Sequence, residues 1–317
     1  MNHLLCCDWG TSNFRLYLVD RASGKTVSQL EAPQGIALTF NQWKASEEAD
    51  RLIYFRRLLQ EQIDRLGQQF GHTLASVPVV LSGMAASSIG MLELPYATLP
   101  FDLAHPNLDY CKIDATEAYP NDLYLFTGLR NEQDVMRGEE VQMLGIKSFL
   151  PENSICILPG THSKHIQLQA HSIVNFKTYM TGEVFQLLKQ NSILKHSVVE
   201  EELSISDFQK GVLAAKNGSL LHQLFQVRTN DILHQMPAFA NYAFLSGLLI
   251  GEELKSLADV EEILVLASSD PLFSLYKIAI ESLSIDNDFR TIEAKDLEQA
   301  TPLAHLDLFN RLTSPFG

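Results

Sequence analysis

The chain has 317 residues, 46% of them hydrophobic, and its 24 basic against 38 acidic side chains leave a formal charge of −14 at pH 7. That length suits two domains with sizeable cores, and the acidic balance argues against a nucleic-acid or membrane-surface binder, since both need a basic face. It does not exclude an anionic small ligand, because backbone N–H groups and a few local cations can hold phosphates on an acidic protein.

The opening MNHLLCCDWG has no basic leader region, and no stretch reaches the ~20 apolar residues of a membrane span, so a cytoplasmic location is expected. Residues 4–8 (LLCCD) are a short apolar run ending in an acid, followed by a small polar turn over 9–13 (WGTSN). Residues 14–20 (FRLYLVD) alternate as a strand does, 21–24 form a hairpin turn, and 25–31 return as a third strand. Leu52, Phe55, Leu59, Ile63 and Leu66 fall on one stripe, which predicts a helix within 46–70. Short buried-type strands are expected at 77–81 and 123–127.

The opening pattern then recurs. Residues 154–158 (SICIL) read as a buried strand, 159–164 (PGTHSK) as a polar turn, 165–169 and 172–178 as two strands, and 180–190 as a helix. Two copies of one unit, each with a Gly-Thr turn after its first strand, predict a duplicated α/β fold whose halves face each other across a cleft. An apolar helix is expected over 239–257, a strand at 263–267, a helix over 272–283, a strand at 289–293 and a closing helix over 300–312. The division is expected near Gly128, giving domains over 1–127 and 128–299, with 300–317 packing back on the first. Cys6, Cys7, Cys111 and Cys156 match no zinc spacing and read as core thiols of a reducing compartment.

Five stretches carry residues suited to chemistry. In the first turn, Gly10 lets a ligand approach the backbone, Thr11, Ser12 and Asn13 add polar groups, and Asp8 can hold Mg²⁺ directly or through water. In the second, Gly160, Thr161, His162 and Ser163 repeat that chemistry, and Lys164 adds a cation. A solvated β-turn explains either alone; their shared place in a repeated unit favours a two-turn phosphate clamp. Residues 137–140 (RGEE) offer a carboxylate that can accept a hydroxyl proton, and Arg137 a fork for a substrate carboxylate, although an acidic helix start needs no function. Residues 82–88 (SGMAASS) follow a buried strand, where α/β sheets leave room for ligands or simply pack tightly. Ser268 and Ser269 precede a helix and suit either a nucleoside or a plain cap.

With these residues in place the chain resembles the 2-dehydro-3-deoxygalactonokinase family, within the actin, hexokinase and Hsp70 superfamily. The matching blocks run in order from 8 to 251: DWGTSNFR, SGM, LPY, VMRGEEVQMLG, LPGTHSK, MTGEVFQLL and FLSGLLIG. The resemblance implies two ribonuclease-H-like (actin/hexokinase-type) domains around a central cleft, with the sugar on the N-terminal side and the nucleotide on the C-terminal side. It implies transfer of the ATP γ-phosphoryl group, with Mg²⁺, to the terminal hydroxyl of 2-dehydro-3-deoxy-galactonate. Both Gly-Thr turns become phosphate loops, and Ser268 and Ser269 fall where the superfamily binds adenosine. Gly83, Met84, Ser87 and Ser88 fall where related kinases contact the sugar, with Arg137 and Glu140 alongside.

By analogy with glycerol-kinase-like relatives, whose Gly-Asp pair supplies the base, Gly138-Glu139 makes Glu139 the expected base, with Glu140 next to it. The chain departs from the family at Ala86-Ser87, where a Gly-Ser pair is expected, and at Met91, where a Trp is expected. Both leave open which 2-keto-3-deoxy acid is preferred. Pro159 stands where more distant kinases carry an Asp. Expected partners are a small-molecule sugar acid and at most a second copy of the chain, with no nucleic acid and no membrane. The rival classes are an ATP-hydrolysing switch or sensor of the same superfamily and a catalytically silent sugar-acid-binding regulator.

Overall fold

In the computed structural model, which describes residues 2–313, the chain divides into two units. The first runs to Phe149 and adds His171–Asn175 and the chain from Lys295; the second holds Leu150–Ala170 and Phe176–Ala294.

The first unit begins with β1 (His3–Trp9), β2 (Phe14–Asp20) and β3 (Thr26–Ala32), three antiparallel neighbours, followed by α1 (Ile36–Lys44) and α2 (Arg51–Phe70). Asp50 caps α2 by accepting from the Leu52 and Ile53 N–H groups, and Gly71 ends it in the left-handed conformation. The anticipated stripe, Phe55, Leu59, Ile63 and Leu66, is buried with Leu5, Cys7, Trp9, Leu16 and Leu18 from the sheet.

The chain continues through β4 (Val79–Gly83), β5 (Ala97–Thr98), β6 (Phe101–Asp102), β7 (Tyr110–Ile113), β8 (Leu123–Phe126), β9 (Leu129–Arg130), β10 (Val135–Met136) and α3 (Glu139–Ile146). The main sheet has the order β3-β2-β1-β4-β8-β7, with β1, β4 and β8 parallel. A small sheet, β10-β9-β5, ties residues 129–136 to the first unit. The unit therefore extends beyond Gly128, the division expected from the sequence, and includes residues 137–140.

The second unit is built on β11 (Ser154–Leu158), β12 (Ser163–Gln169) and, from Phe176 on, β13 (Ser172–Tyr179), then α4 (Thr181–Asn191), α5 (Ile205–Lys216), α6 (Leu220–His234) and α7 (Ala238–Leu254). It closes with β14 (Ile263–Ala267), α8 (Leu272–Ser282) and β15 (Phe289–Ile292). Its strands lie in the order β15-β14-β11-β12-β13, with β11 antiparallel to β12 and parallel to β14. With the edge strand β7 set aside, both units thus show the order 3-2-1-4-5, the duplication that the repeated pattern predicts. The turn of interest joins the first strand to the second in each. No helix among the described residues is long and apolar enough to cross a membrane.

The last helix, α9 (Ala294–Thr313), belongs almost wholly to the first unit. It starts six residues before the expected position and runs through Pro302. Lys147 and Asp307 pair at 2.9 Å, and a Cβ at Gly145 would overlap the Ala300 carbonyl. Gly145 thus allows α3 to lie directly on α9. Gly145→Ala is expected to destabilise the protein by about 1–3 kcal/mol, the usual cost of overpacking, read from urea denaturation midpoints. An unchanged midpoint would show that the contact can relax freely.

Candidate active site

The first turn is held from its carbonyl side. Gly10 N–H bonds to the Asn13 carbonyl at 2.9 Å, and the first turn of α1 takes the remaining oxygens. Gly35, Ile36 and Ala37 N–H groups donate to the Ser12, Gly10 and Thr11 carbonyls at 3.1, 2.9 and 3.2 Å. A side chain at Gly35 would overlap Thr11 and Ser12. Ser12 and Asn13 are exposed and Thr11 is half-buried. Apart from the Asn13 carbonyl at 3.6 Å, a Cβ at Gly10 would meet open space.

Asp8, the last acid of β1, lies opposite Arg15 on β2 and bonds to its guanidinium at 3.2 Å. Burial raises the Asp8 carboxyl above its ordinary value; Arg15 opposes the rise, while Glu139 adds to it. On the other side of β1, Asp8 pairs with Ser82 of β4. Gly83 follows with a φ of 82°; a Cβ there would lie 3.2 Å from Asp8 Oδ1, and a Cβ on Gly138 would lie 3.4 Å from Gly83 Cα. The strand ends and the start of α3 therefore bring Asp8, Gly83, Gly138 and Glu139 into one cluster.

Arg137 is differently employed from the substrate fork expected of it. Its guanidinium donates to the Ala86 carbonyl and, at 2.6 Å, to the Leu94 carbonyl, and it lies 4.0 Å over the Tyr96 ring. It thereby joins the ends of the loop after β4. Within that loop Met84 is half-buried and Ser88 exposed, but Ser87 is buried with its hydroxyl directed to the Met84 carbonyl at 2.7 Å.

The second turn repeats the device of the first. Glu183 N–H, in the first turn of α4, donates to the Thr161 carbonyl at 3.0 Å, and the His162 ring pairs with the Glu183 carboxylate. A Cβ at Gly182 would come within 2.6 Å of the Gly160 carbonyl and 2.8 Å of Thr161 Cα. Thr161 is exposed, His162 half-buried, and a Cβ at Gly160 would meet nothing within 4 Å. Ser163 and Lys164, expected among the phosphate ligands, are instead buried at the start of β12, with Lys164 Nζ donating to the His162 carbonyl at 3.1 Å. Ser268 is also buried, its hydroxyl donating to the Ser269 carbonyl, while Ser269 is exposed ahead of α8.

The family model described as 2-keto-3-deoxy-galactonokinase matches residues 8–301, nearly the whole chain. The chain belongs to that family. Its members are sugar-acid kinases by description, and the family match spans the Asp8 cluster and both turns. The chain is 28% identical to the 2-dehydro-3-deoxygalactonokinase of Escherichia coli K12 over 290 residues, 89% of this chain and 90% of that one. A crystal structure from Sinorhizobium meliloti, provisionally assigned the same activity, superposes with a TM-score of 0.81 at 28% identity, covering 99% of this chain and 98% of that one. At 10% identity, the activator of 2-hydroxyisocaproyl-CoA dehydratase from Clostridium difficile, solved with ADPNP, covers 99% of both chains with a TM-score of 0.50 and supports the shared ATPase-type fold alone.

For a kinase of this family the two carboxylates at the start of α3 differ sharply. Glu140 is buried and pushed up to about 8, chiefly by desolvation and next by the charge of Glu139. Both its oxygens accept from Gly138 N–H, at 2.9 and 2.8 Å. Glu139 is half-buried and accepts from Arg137 N–H at 3.1 Å. Sequence reasoning missed the residues that hold the turns, Gly35, Gly182 and Glu183, and the Arg15 partner of Asp8. Gly182 and Glu183 stand in the MTGE block and Arg15 in DWGTSNFR, so the motifs contained them without showing their purpose.

The folded state retains a proton on Glu140 that the unfolded chain releases above about 4.5, so this group makes stability fall as pH rises from about 4.5 to about 8. Glu140→Gln is expected to remove that fall, by up to ~1.4 kcal/mol per pH unit. Denaturation at pH 5 and pH 8 reads it; parallel pH curves for the two proteins would disprove a protonated Glu140.

Proposed function

We propose that the chain is an ATP-dependent kinase that phosphorylates the terminal hydroxyl of 2-dehydro-3-deoxy-galactonate, or a close 2-keto-3-deoxy sugar acid, by in-line transfer. The observation that carries the reading is the cluster of Asp8, Gly83, Gly138 and Glu139 in a chain of this family.

The residues present fit the groups such a reaction needs. Open space beside Gly10 and Gly160 allows phosphate oxygens to approach both backbones. Among the described residues no group of three or more His, Cys, Asp or Glu can cage a metal. A single carboxylate, Asp8, suits Mg²⁺, which usually keeps waters and binds through one or two carboxylates plus phosphates. When bound, ATP supplies the transferred phosphoryl group and Mg²⁺ the positive charge beside it.

In this reading Thr11, Ser12, Asn13, Thr161 and His162 orient phosphate oxygens, and Ser269 lies on the nucleoside side. Gly83, Met84 and Ser88 face the sugar acid, on a loop whose shape Arg137 holds. Glu139 takes the proton from the attacking hydroxyl. Glu140, protonated at neutral pH and bonded through both oxygens, is in the wrong state to accept one. Asp8, bonded to Arg15, would hold the metal.

Glu139→Gln is expected to lower kcat by ~10²–10⁴-fold, the usual size of general-base catalysis, with nucleotide affinity near that of the wild type. ADP release measured with and without a panel of 2-keto-3-deoxy acids checks it, and an unchanged kcat would rule Glu139 out as the base. The same assay separates the rival classes: a switch releases ADP slowly whatever sugar acid is present, and a silent regulator releases none. Asp8→Asn is expected to move half-maximal activation by Mg²⁺ to higher concentration; an unaltered titration would count against its metal role.

A further inference from the structure

Beneath the second turn lies a buried polar chain that the reading above does not use. Glu253 of α7 has its side chain only 1% exposed and carries three side-chain partners. Its Oε1 bonds to His165 Nε2 at 3.1 Å, and its Oε2 bonds to the Thr181 hydroxyl and accepts from the Tyr276 hydroxyl at 2.7 Å. Tyr276, on α8, also meets Ser163 Oγ at 3.0 Å. Ser163 Oγ in turn accepts from Gly160 N–H at 3.3 Å. The chain therefore runs from the glycine of the turn to a fully buried carboxylate, through β12, α8 and α7, and meets α4 at Thr181.

Proton counting gives this chain a direction. A phenol has one proton, and Tyr276 gives it to Glu253. A serine hydroxyl also has one proton. With the Tyr276 proton committed, the Ser163–Tyr276 bond can form only if Ser163 donates. The other acceptor within reach of Ser163, the Gly160 carbonyl, is at 3.5 Å, the limit of a hydrogen bond. Ser163 is then left with lone pairs facing Gly160 and no proton to offer an anion.

We propose that Glu253 is a positioning residue for the second turn. Through Tyr276 it turns the Ser163 hydroxyl inward as a strut under Gly160, so that the turn offers a nucleotide its backbone and the Thr161 hydroxyl, not Ser163. This rests on the nucleotide-binding reading of the turn. The chain is fully connected, and such buried networks act as units whose members are not additive.

The test is a double-mutant cycle on the full chain with Ser163→Ala and Tyr276→Phe, reading the Kd of MgADP by calorimetry and the KM values for ATP and sugar acid. Circular dichroism melts show that each variant is folded. Each single change is expected to weaken MgADP by ~10-fold, as for a lost buried hydrogen bond. The double variant should bind about as well as either single one, and the sugar-acid KM should hold. Glu253→Gln keeps the shape while replacing the carboxyl group that Tyr276 donates to with an amide. It is expected to weaken MgADP as well, and it replaces Tyr276→Phe in the comparison if the latter does not fold.

If Ser163→Ala weakens binding while Tyr276→Phe leaves it unchanged or tightens it, Ser163 is a direct phosphate ligand and the proposal fails. Singles whose losses multiply in the double variant overturn it too, as do variants that lower only the melting temperature. A wild-type protein that binds no MgADP would instead reject the nucleotide reading of the turn.

Discussion

Both turns depend on the capture of their carbonyl oxygens by the first turn of a helix. A helix start carries N–H groups without intrahelical partners, and these commonly face an anion. Here α1 and α4 direct some of them inward, at the Gly10, Thr11 and Ser12 carbonyls and at the Thr161 carbonyl. Gly35 and Gly182 allow the approach, since a side chain at either would strike the turn backbone. With its carbonyl oxygens occupied from behind, each turn is left with its glycine bordering open space. The first turn is held by three backbone bonds from α1 and the second by one from α4, so each keeps its form with little ordering left for a ligand to impose.

The Asp8 cluster shows the opposite balance. It combines burial, which disfavours charge, with a second carboxylate nearby, and one guanidinium opposes both. A carboxylate in such surroundings responds strongly to any added positive charge. Glu139 and Glu140 are adjacent in sequence yet differ in surroundings: helix geometry buries Glu140, whose carboxyl is pushed up to about 8, and leaves Glu139 half-accessible. Chemically similar neighbours thus acquire separate properties from solvent access alone.

Much of this architecture was legible from patterns of two and of 3.6 residues. β2, β11 and β14 occupy the expected residues, because alternating or wholly apolar runs bounded by polar turns leave little freedom. α1, α5 and α6 went unread. α1 is short, and α6 leaves Leu221, Phe225, Ile232 and Leu233 exposed, so its apolar residues do not mark a buried face. At the site, the two Gly-Thr turns were visible because a duplicated unit made them visible. The burial of Ser163 and Lys164 was not, because they open β12 on its two opposite faces and both faces are covered there, which the PGTHSK block by itself does not reveal. Arg137 was misjudged for a similar reason: a guanidinium suits backbone carbonyls as well as it suits a substrate acid, and only the fold supplies the carbonyls.

The first unit is completed by α9, nearly 150 residues after α3, the helix against which it lies. On the ribosome, the sheet that carries Asp8 emerges before the second unit yet waits until that unit has been made before α9 can dock. The second unit, which ends at the first residue of α9, can fold in the interval. Contacts of such long sequence separation form slowly, so α9 acts as a closing step in biogenesis: a chain released early would present a finished second unit and an unfinished first.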